Sequence, residues 1–473
     1  MRVLMAASEI DPFAKTGGLA DVASSLPKAL KKEGVDISLV MPFYKKFVLK
    51  SGLSFQKTDL EFEIILNGKK YSGLFYISFL NDVPVYLMEN DEFFDRENLY
   101  GTPTGDYPDN GLRFGFFCYG ILELAKLLGD IKIIHLNDWQ TALVPLIKMR
   151  KYPHLAQIKT LLSIHNLAYQ GIFEKEILEK LNLGYEDFHM EGVEFYGKVN
   201  FLKAGIVYSD YINTVSPTYA EEIQTAEFGY GLDGILRRRK DVLFGILNGI
   251  DYEVWDPEKD NELYFNYSKD NIIEGKKINK ERILKDCGLE GLEKPLFGIV
   301  SRLAEQKGFD LFPSIIETIA RENLNLIVLG AGDKIYQDMF TDISRRYANV
   351  YVKIGFDPVL AKRIYASSDF FLMPSKYEPC GLGQLISMRY GTIPVVRATG
   401  GLKDTVKDIE KGGYGIVFEK YEPRDLLRAI ERAIDFYRNT ELFEKSVKYV
   451  FSLDFSWKSS AKEYLNLYKR MLS

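Results

Sequence analysis

The chain has 473 residues, 46% of them apolar, enough for two or three domains with large cores. Its net charge of −5 is spread over both signs, which argues against a binder of nucleic acid or membrane surfaces. Three distant cysteines (Cys118, Cys287, Cys380) form no disulfide framework and point to a reducing compartment. Residues 3–7 read as a buried strand, 20–32 as an amphipathic helix and 37–41 as a strand, a βαβ opening that implies a parallel sheet with helices on its faces. Glu9 and Asp11 cut the first apolar run too short for a signal peptide.

Residues 60–89 break this rhythm. They alternate in polarity around turns at Asn67-Gly68 and Asn81-Asp82, and predict an antiparallel meander attached to the sheet. Helices are then expected near 111–128, 140–150 and 197–208, and strands at 131–136, 160–164, 211–215 and 243–247. The most apolar helical stretch, "FGFFCYGILELAKLL", carries Glu123 and Lys126, so no membrane span is expected. Residues 252–295 are charged and Asn-rich with one helix near 272–286, and read as a passage between domains. A second α/β series has strands at 296–300, 324–329, 350–354, 370–373, 393–396 and 415–418, and the chain ends in helices at 423–437, 440–450 and 457–471. "KTGGLADV" at 15–22 is echoed by "ATGGLKDT" at 398–405, each opening a helix.

Ligands of such sheets bind beyond the carboxyl ends of the strands. There the sequence places Lys15, Gly17 and Gly18; Asp138; His165; Asn248; Arg302 and Lys307; Glu378, Cys380, Gly381 and Gly383; and Thr399 and Gly400. Arg302 and Lys307 are spaced to hold a diphosphate, a planar donor fork beside a movable point charge, or to form a solvated pair. The glycine turn at 17–18 is either a plain turn or a place where backbone N–H groups approach an anion at a helix N-terminus. Glu378 suits sugar hydroxyls or a helix N-cap, His165 a substrate hydroxyl or a structural partner, and Asp138 a helix cap. Cys380 has no base beside it in sequence and reads as a small buried residue. No Asp-x-Asp, H-E-x-x-H or C-x-x-C occurs and the four histidines are scattered, so no metal is expected. A diphosphate held by Arg and Lys without metal fits nucleotide-sugar transfer.

Eight segments carry a resemblance: "KTGGLADV", "HLNDWQTAL", "SIHNLAYQG", "INTVSPTYAEEI", "GILNGID", "SRLAEQKG", "PSKYEPCGLGQ" and "ATGGLKDTV". In order and spacing the whole chain resembles the bacterial and plant glycogen/starch synthases that use ADP-glucose. The resemblance implies an α/β GT-B fold: Rossmann-like domains at 1–250 (acceptor side) and 251–455 (nucleotide-sugar side) facing a deep cleft, and a helix at 456–473 crossing back to the first. It implies transfer of glucose from ADP-glucose to the non-reducing end of an α-1,4-glucan with retention; composition makes a cytoplasmic enzyme the expectation, and the missing motifs one that needs no metal or other cofactor. It places Lys15, Arg302 and Lys307 on the diphosphate, His165 and Asn248 near the glucose, and Asp138 at the cleft. Glu378 and the Cys380–Gly381 backbone fall on sugar hydroxyls, and Tyr100 and Phe356 on the adenine. Phe356 stands where a tyrosine is frequent and Gly383 where a threonine is frequent. The second glutamate of a neighbouring glycosyltransferase group is replaced by Ile386, which favours the synthases over UDP-sugar transferases. The remaining alternatives are another GT-B nucleotide-sugar enzyme and a non-catalytic glucan-binding protein. A donor assay separates them.

Overall fold

The computed structural model describes residues 1–473. Its chain falls into two units, one of residues 1–248 with 457–473 and one of residues 249–456. The first unit is built on a nine-stranded sheet. From one edge to the other its strands are Leu243–Gly245, Tyr211–Thr214, Lys159–Ile164, Ile133–Asn137, Arg2–Ala6, Asp36–Pro42, Val83–Glu89, Lys69–Leu80 and Gln56–Leu66. The first seven run parallel, and the last two continue as the expected antiparallel meander. Ile133–Asn137 is buried at every position, as a strand covered on both faces must be. The Asn67-Gly68 turn has φ values of 49° and 72°, the twist that a two-residue hairpin requires.

Two local differences from the sequence pattern have physical causes. Residues 197–200 are not helical: Lys198–Asn200 is a strand in a small sheet with Ile172–Phe173 and Glu194–Phe195, and the helix starts at Phe201, capped by Asn200. Strands of two or three residues are too short to show a period. The helix expected from 140 starts at Val144, because Thr141 Oγ1 bonds back to Asn137 and Asp138 and closes a turn first.

The last helix, Trp457–Leu472, packs against the helix Gly18–Lys32 and belongs to the first unit. A buried relay fixes it. Tyr468 donates to His135 Nδ1 (2.7 Å), His135 Nε2 donates to Ser163 Oγ (2.6 Å), Ser163 donates to Asn213 Oδ1, and Asn213 Nδ2 donates to Tyr464 (2.9 Å). Because Ser163 spends its only proton on Asn213, the histidine must carry its own proton on Nε2.

The second unit has six parallel strands ordered Val350–Ile354, Asn325–Gly330, Leu296–Val300, Phe370–Met373, Ile393–Arg397 and Ile416–Phe418. In chain order this is 3-2-1-4-5-6, the doubly wound arrangement, with its switch point between Leu296–Val300 and Phe370–Met373. Residues 252–295 are not a mere passage; they are packed into this unit. Tyr267, Ile272 and Ile283 are buried, and so are two of the segment's lysines, Lys276 and Lys280. Lys276 Nζ donates to the carbonyls of Ala366, Ser368 and Tyr390 and to Thr392 Oγ1, and Lys280 pairs with Asp369 at 2.7 Å.

Candidate active site

In the first unit the strands Arg2–Ala6 and Ile133–Asn137 lie side by side, and the chain leaves them in opposite directions across the sheet. Beyond the first strand, Glu9 is 4% exposed, a buried carboxylate that needs donors. It finds them in the Lys15–Gly18 loop. Its oxygens accept from Thr16 N and Oγ1 and from Gly17 N, and also from the Tyr100 hydroxyl at 2.9 Å, which itself meets Ser8 Oγ at 2.7 Å. The Tyr100 hydroxyl is thus committed to the loop's anchor. Lys15 Nζ lies 2.5 Å from Asp21 and 3.7 Å from Asp11. Gly17 is in extended backbone, and a Cβ there would meet nothing within 4 Å.

Beyond Ile133–Asn137, Asp138 sits at φ 56°, and its carboxylate accepts from His165 N at 2.7 Å rather than capping a helix. Burial pushes the Asp138 carboxyl up to about 7, against the pull of the His165 and Asn166 amides. Asn137 donates Nδ2 to Ala6 O, so its oxygen is the acceptor for His165 Nε2 at 2.8 Å. His165 therefore keeps its proton on Nε2 and presents Nδ1 as an acceptor, and burial lowers its pKa to about 4. Asn248 Oδ1 is buried without a hydrogen-bond partner.

Three titrating groups of this unit, His135, His165 and Asp138, make a pH prediction. His135 (about 3) and His165 (about 4) bind protons later in the folded state than in the unfolded one, so their stabilisation is lost as pH falls below 6.5. Asp138 acts oppositely, stabilising at low pH and losing that contribution as pH rises toward 7. Between pH 4 and 6.5 two protons oppose one, so these groups together raise stability by about 1.4 kcal/mol per pH unit. Urea titrations across that range will show a rise for the wild type and a steeper one for Asp138→Asn.

In the second unit the switch-point strand ends carry the charged groups. Lys307 Nζ lies 2.7 and 2.8 Å from the two oxygens of Glu378, which is 5% exposed and also accepts from Ser375 Oγ at 2.9 Å. Glu378 is therefore not a helix cap, and Lys307 is not half of a solvated pair. Arg302 is exposed, with its guanidinium 3.2 Å from Gln306 Oε1. The loop 374–381 is seated by backbone contacts on both sides. A Cβ on Gly308 would lie 2.1 Å from Pro374 O, and one on Gly400 would lie 1.9 Å from Glu378 O. Gly401 N donates to the carbonyls of Glu378 and Pro379. Thr399 stands at the N-cap position of the helix Gly400–Thr405, and Gln384 holds the carbonyls of buried Cys380 and of Gly381. A side chain at Gly383 would press on Phe371 at 3.0 Å and Met373 at 3.2 Å, which accounts for glycine there. Phe356 follows the edge strand Val350–Ile354 and is 91% exposed.

Sequence reasoning assigns no role to Glu9, Asn137 or Ser375. Glu9 reads in sequence only as a break in an apolar run, although its place just beyond the first strand is a signal. A surface cavity of about 620 Å³ on the meander, lined by Glu61, Glu63, Glu89, Asp91 and Glu92, has the wrong sign for a diphosphate.

A family model described as the starch synthase catalytic domain matches residues 2–238, and one described as glycosyl transferases group 1 matches residues 282–448. The glycogen synthase of Aquifex aeolicus (strain VF5) is 49% identical over 100% of both chains. That of Geotalea uraniireducens (strain Rf4) is 48% identical over 100% of this chain and 99% of the relative. The catalytic domain of starch synthase IV from Arabidopsis thaliana, in a structure bound to ADP and acarbose, has a TM-score of 0.91 and 34% identity, covering 100% of this chain and 99% of that one. Fold and strand-end chemistry together define a GT-B glycosyltransferase, an enzyme working on a nucleotide-sugar donor. Within that class the chain belongs to the glycogen/starch synthase family and is a glucosyltransferase with a glucan acceptor. No helix is long and apolar enough to cross a membrane.

Proposed function

We propose that the enzyme transfers glucose from ADP-glucose to the non-reducing end of an α-1,4-glucan, with retention and without a metal ion. The observation that carries this reading is the whole-chain likeness to a starch synthase whose structure holds ADP and acarbose. The strand-end chemistry supports it. Arg302 and Lys307 supply positive charge for a departing diphosphate, and Lys15 supplies a third cation on a loop whose Gly17 has room for a ligand. Glu378, fixed by Lys307 and Ser375, together with the Cys380–Gly381 backbone, orients the glucose hydroxyls. His165, neutral at working pH, and Asp138 with the unpaired Asn248 oxygen accept or share sugar hydroxyl protons. No carboxylate is assigned as nucleophile. The leaving diphosphate takes the acceptor's proton as the new bond forms on the same face, and electrostatic stabilisation of that group is the largest contribution. Tyr100 and Phe356 are the adenine-side aromatics of this reading.

Release of nucleoside diphosphate with glycogen as acceptor is the test. ADP-glucose is expected to be turned over at least tenfold faster than UDP-glucose, a difference of only ~1.4 kcal/mol. Equal turnover of UDP-glucose refutes the donor assignment. With Arg302, Lys307 and Lys15 supplying the charge for the departing diphosphate, EDTA is expected to leave the rate unchanged. Loss of activity in EDTA with recovery in Mg²⁺ or Mn²⁺ refutes the metal-free mechanism.

A further inference from the structure

Six non-glycine residues adopt positive φ, and four of them are Asn or Asp, the types that tolerate it. The other two are tyrosines: Tyr196 at φ 50° and Tyr230 at φ 48°. A bulky residue in this region is a backbone outlier. Tyr196 with Gly197 forms the two-residue turn between Glu194–Phe195 and Lys198–Asn200, a position where Asn or Asp is the usual first residue. Local folding is thus better served by another residue at Tyr196, and its ring is not spent on the core, for the residue is 82% exposed. Tyr230 is 40% exposed and Tyr169 is 54% exposed.

These tyrosines lie close together. A Cβ on Gly231, next to Tyr230, would lie 3.0 Å from the Phe195 ring and 3.5 Å from the Tyr196 ring. Phe195 supports Tyr196 edge-on, with centroids 4.7 Å apart. Gln170, next to Tyr169, donates from Nε2 to the carbonyls of Leu167 and Tyr230, and its oxygen accepts from Asn200 Nδ2 at 2.6 Å. The group therefore rests on the same strand-end loop that starts at His165. Gly171 closes that loop against the Trp139 ring, where a Cβ would lie 2.3 Å from the ring, and Trp139 adjoins Asp138.

We propose that Tyr169, Tyr196 and Tyr230 form an aromatic platform that receives the α-glucan chain of the acceptor, an inference resting on the glucosyl-transfer reading above. Flat aromatic faces with polar rims suit the occupant: a pyranose ring has an apolar C–H face to lay on a ring and hydroxyl edges for water and for tyrosine OH groups. Continuity with the His165 loop selects a substrate over an unrelated protein, since whatever lies along the platform is aimed at the strand ends where transfer occurs. The tyrosines hold glucan in the same way before and during reaction, so their loss weakens uniform binding and raises KM for glycogen.

The test uses the full-length enzyme and measures glycogen affinity by retardation in native gels, alongside KM for glycogen and for ADP-glucose. Tyr196→Asn with Tyr230→Asn removes both rings while supplying a residue that accepts positive φ, so the hairpin is not put at risk, and Tyr196→Gly is the second such variant. The expected result is glycogen affinity at least about fivefold weaker and a raised glycogen KM, with KM for ADP-glucose unmoved and with Tyr196→Phe retaining binding. Unchanged glycogen affinity in the asparagine variant, in an enzyme that still elongates glycogen, overturns the platform alone. Loss of concentration-dependent self-association with glycogen affinity intact assigns the patch to a second copy and also overturns it. A wild-type enzyme that transfers glucose to no glucan overturns the parent reading and this one with it.

Discussion

Arg302→Ala and Lys307→Ala will each lower kcat by about 100- to 1,000-fold, the scale of losing one preformed donor to a developing anion, ~3 kcal/mol. On the proposed role of both cations at one leaving group, the double variant will lose less than the product of the singles. The two singles will differ in stability, and the structure says why. Arg302 is exposed beside Gln306, so its removal changes melting little. Lys307 neutralises a nearly buried Glu378, and taking it away leaves a carboxylate with only Ser375 for company. Lys307→Ala is therefore expected to lose a few kcal/mol of stability as well as rate. Adding Glu378→Gln to Lys307→Ala should recover much of the stability and none of the activity. Arg302→Lys should remain slow, since a point charge does not replace a planar fork. Single-variant kcat values near wild type would remove these residues from the diphosphate. A combined variant that regained activity would make Lys307 a mere partner of Glu378.

The strand-end residues were legible because an alternating α/β sequence fixes where strands stop, and ligand groups collect at one end of them. The order of strands was not, and neither were the pairings it creates. Lys307 and Glu378 are 71 positions apart, and only the adjacency of Leu296–Val300 and Phe370–Met373 brings them together. Glu9 escaped notice for the same reason: its role consists of bonds to Thr16, Gly17 and Tyr100 that composition does not show. Lys276 and Lys280 misled in the other direction. Lysines signal solvent on average, yet here Lys276 closes the carbonyl ends of packed elements and Lys280 pairs with the Asp369 carboxylate, so a core segment looks like a linker. Strained backbone is likewise invisible in sequence. Nothing in "EFYGK" marks Tyr196 as the first residue of a tight turn until its φ is known.

The two glycine pairs, alike in sequence, should respond oppositely to alanine. At Gly400 the backbone has φ +44°, and an added Cβ would lie 1.9 Å from the carbonyl oxygen of Glu378, a backbone atom with no rotamer to escape into. Gly401 is similar, with its Cβ position 2.0 Å from Cys380 O. Gly400→Ala must therefore displace the loop that carries Glu378, at a cost of roughly 3 kcal/mol or more from left-handed strain and overlap together. It is expected to melt several degrees early and to lose activity with it. At Gly17 the backbone is extended with φ −150°, a conformation open to any residue, and a Cβ would touch nothing within 4 Å. Folding gives no reason for glycine there, so Gly17→Ala is expected to melt within about 0.5 kcal/mol of wild type, as an unobstructed surface change does. If the space beside Gly17 is where the Lys15–Gly18 loop meets the donor, the methyl group will occupy it, and kcat/KM for ADP-glucose will fall by tenfold or more, about 1.4 kcal/mol. Thermal melts and donor kinetics on the two variants, measured side by side, decide the matter. A stable Gly400→Ala enzyme would contradict the seating of the Glu378 loop. A fully active Gly17→Ala enzyme would leave "KTGGLADV" as a turn and no more.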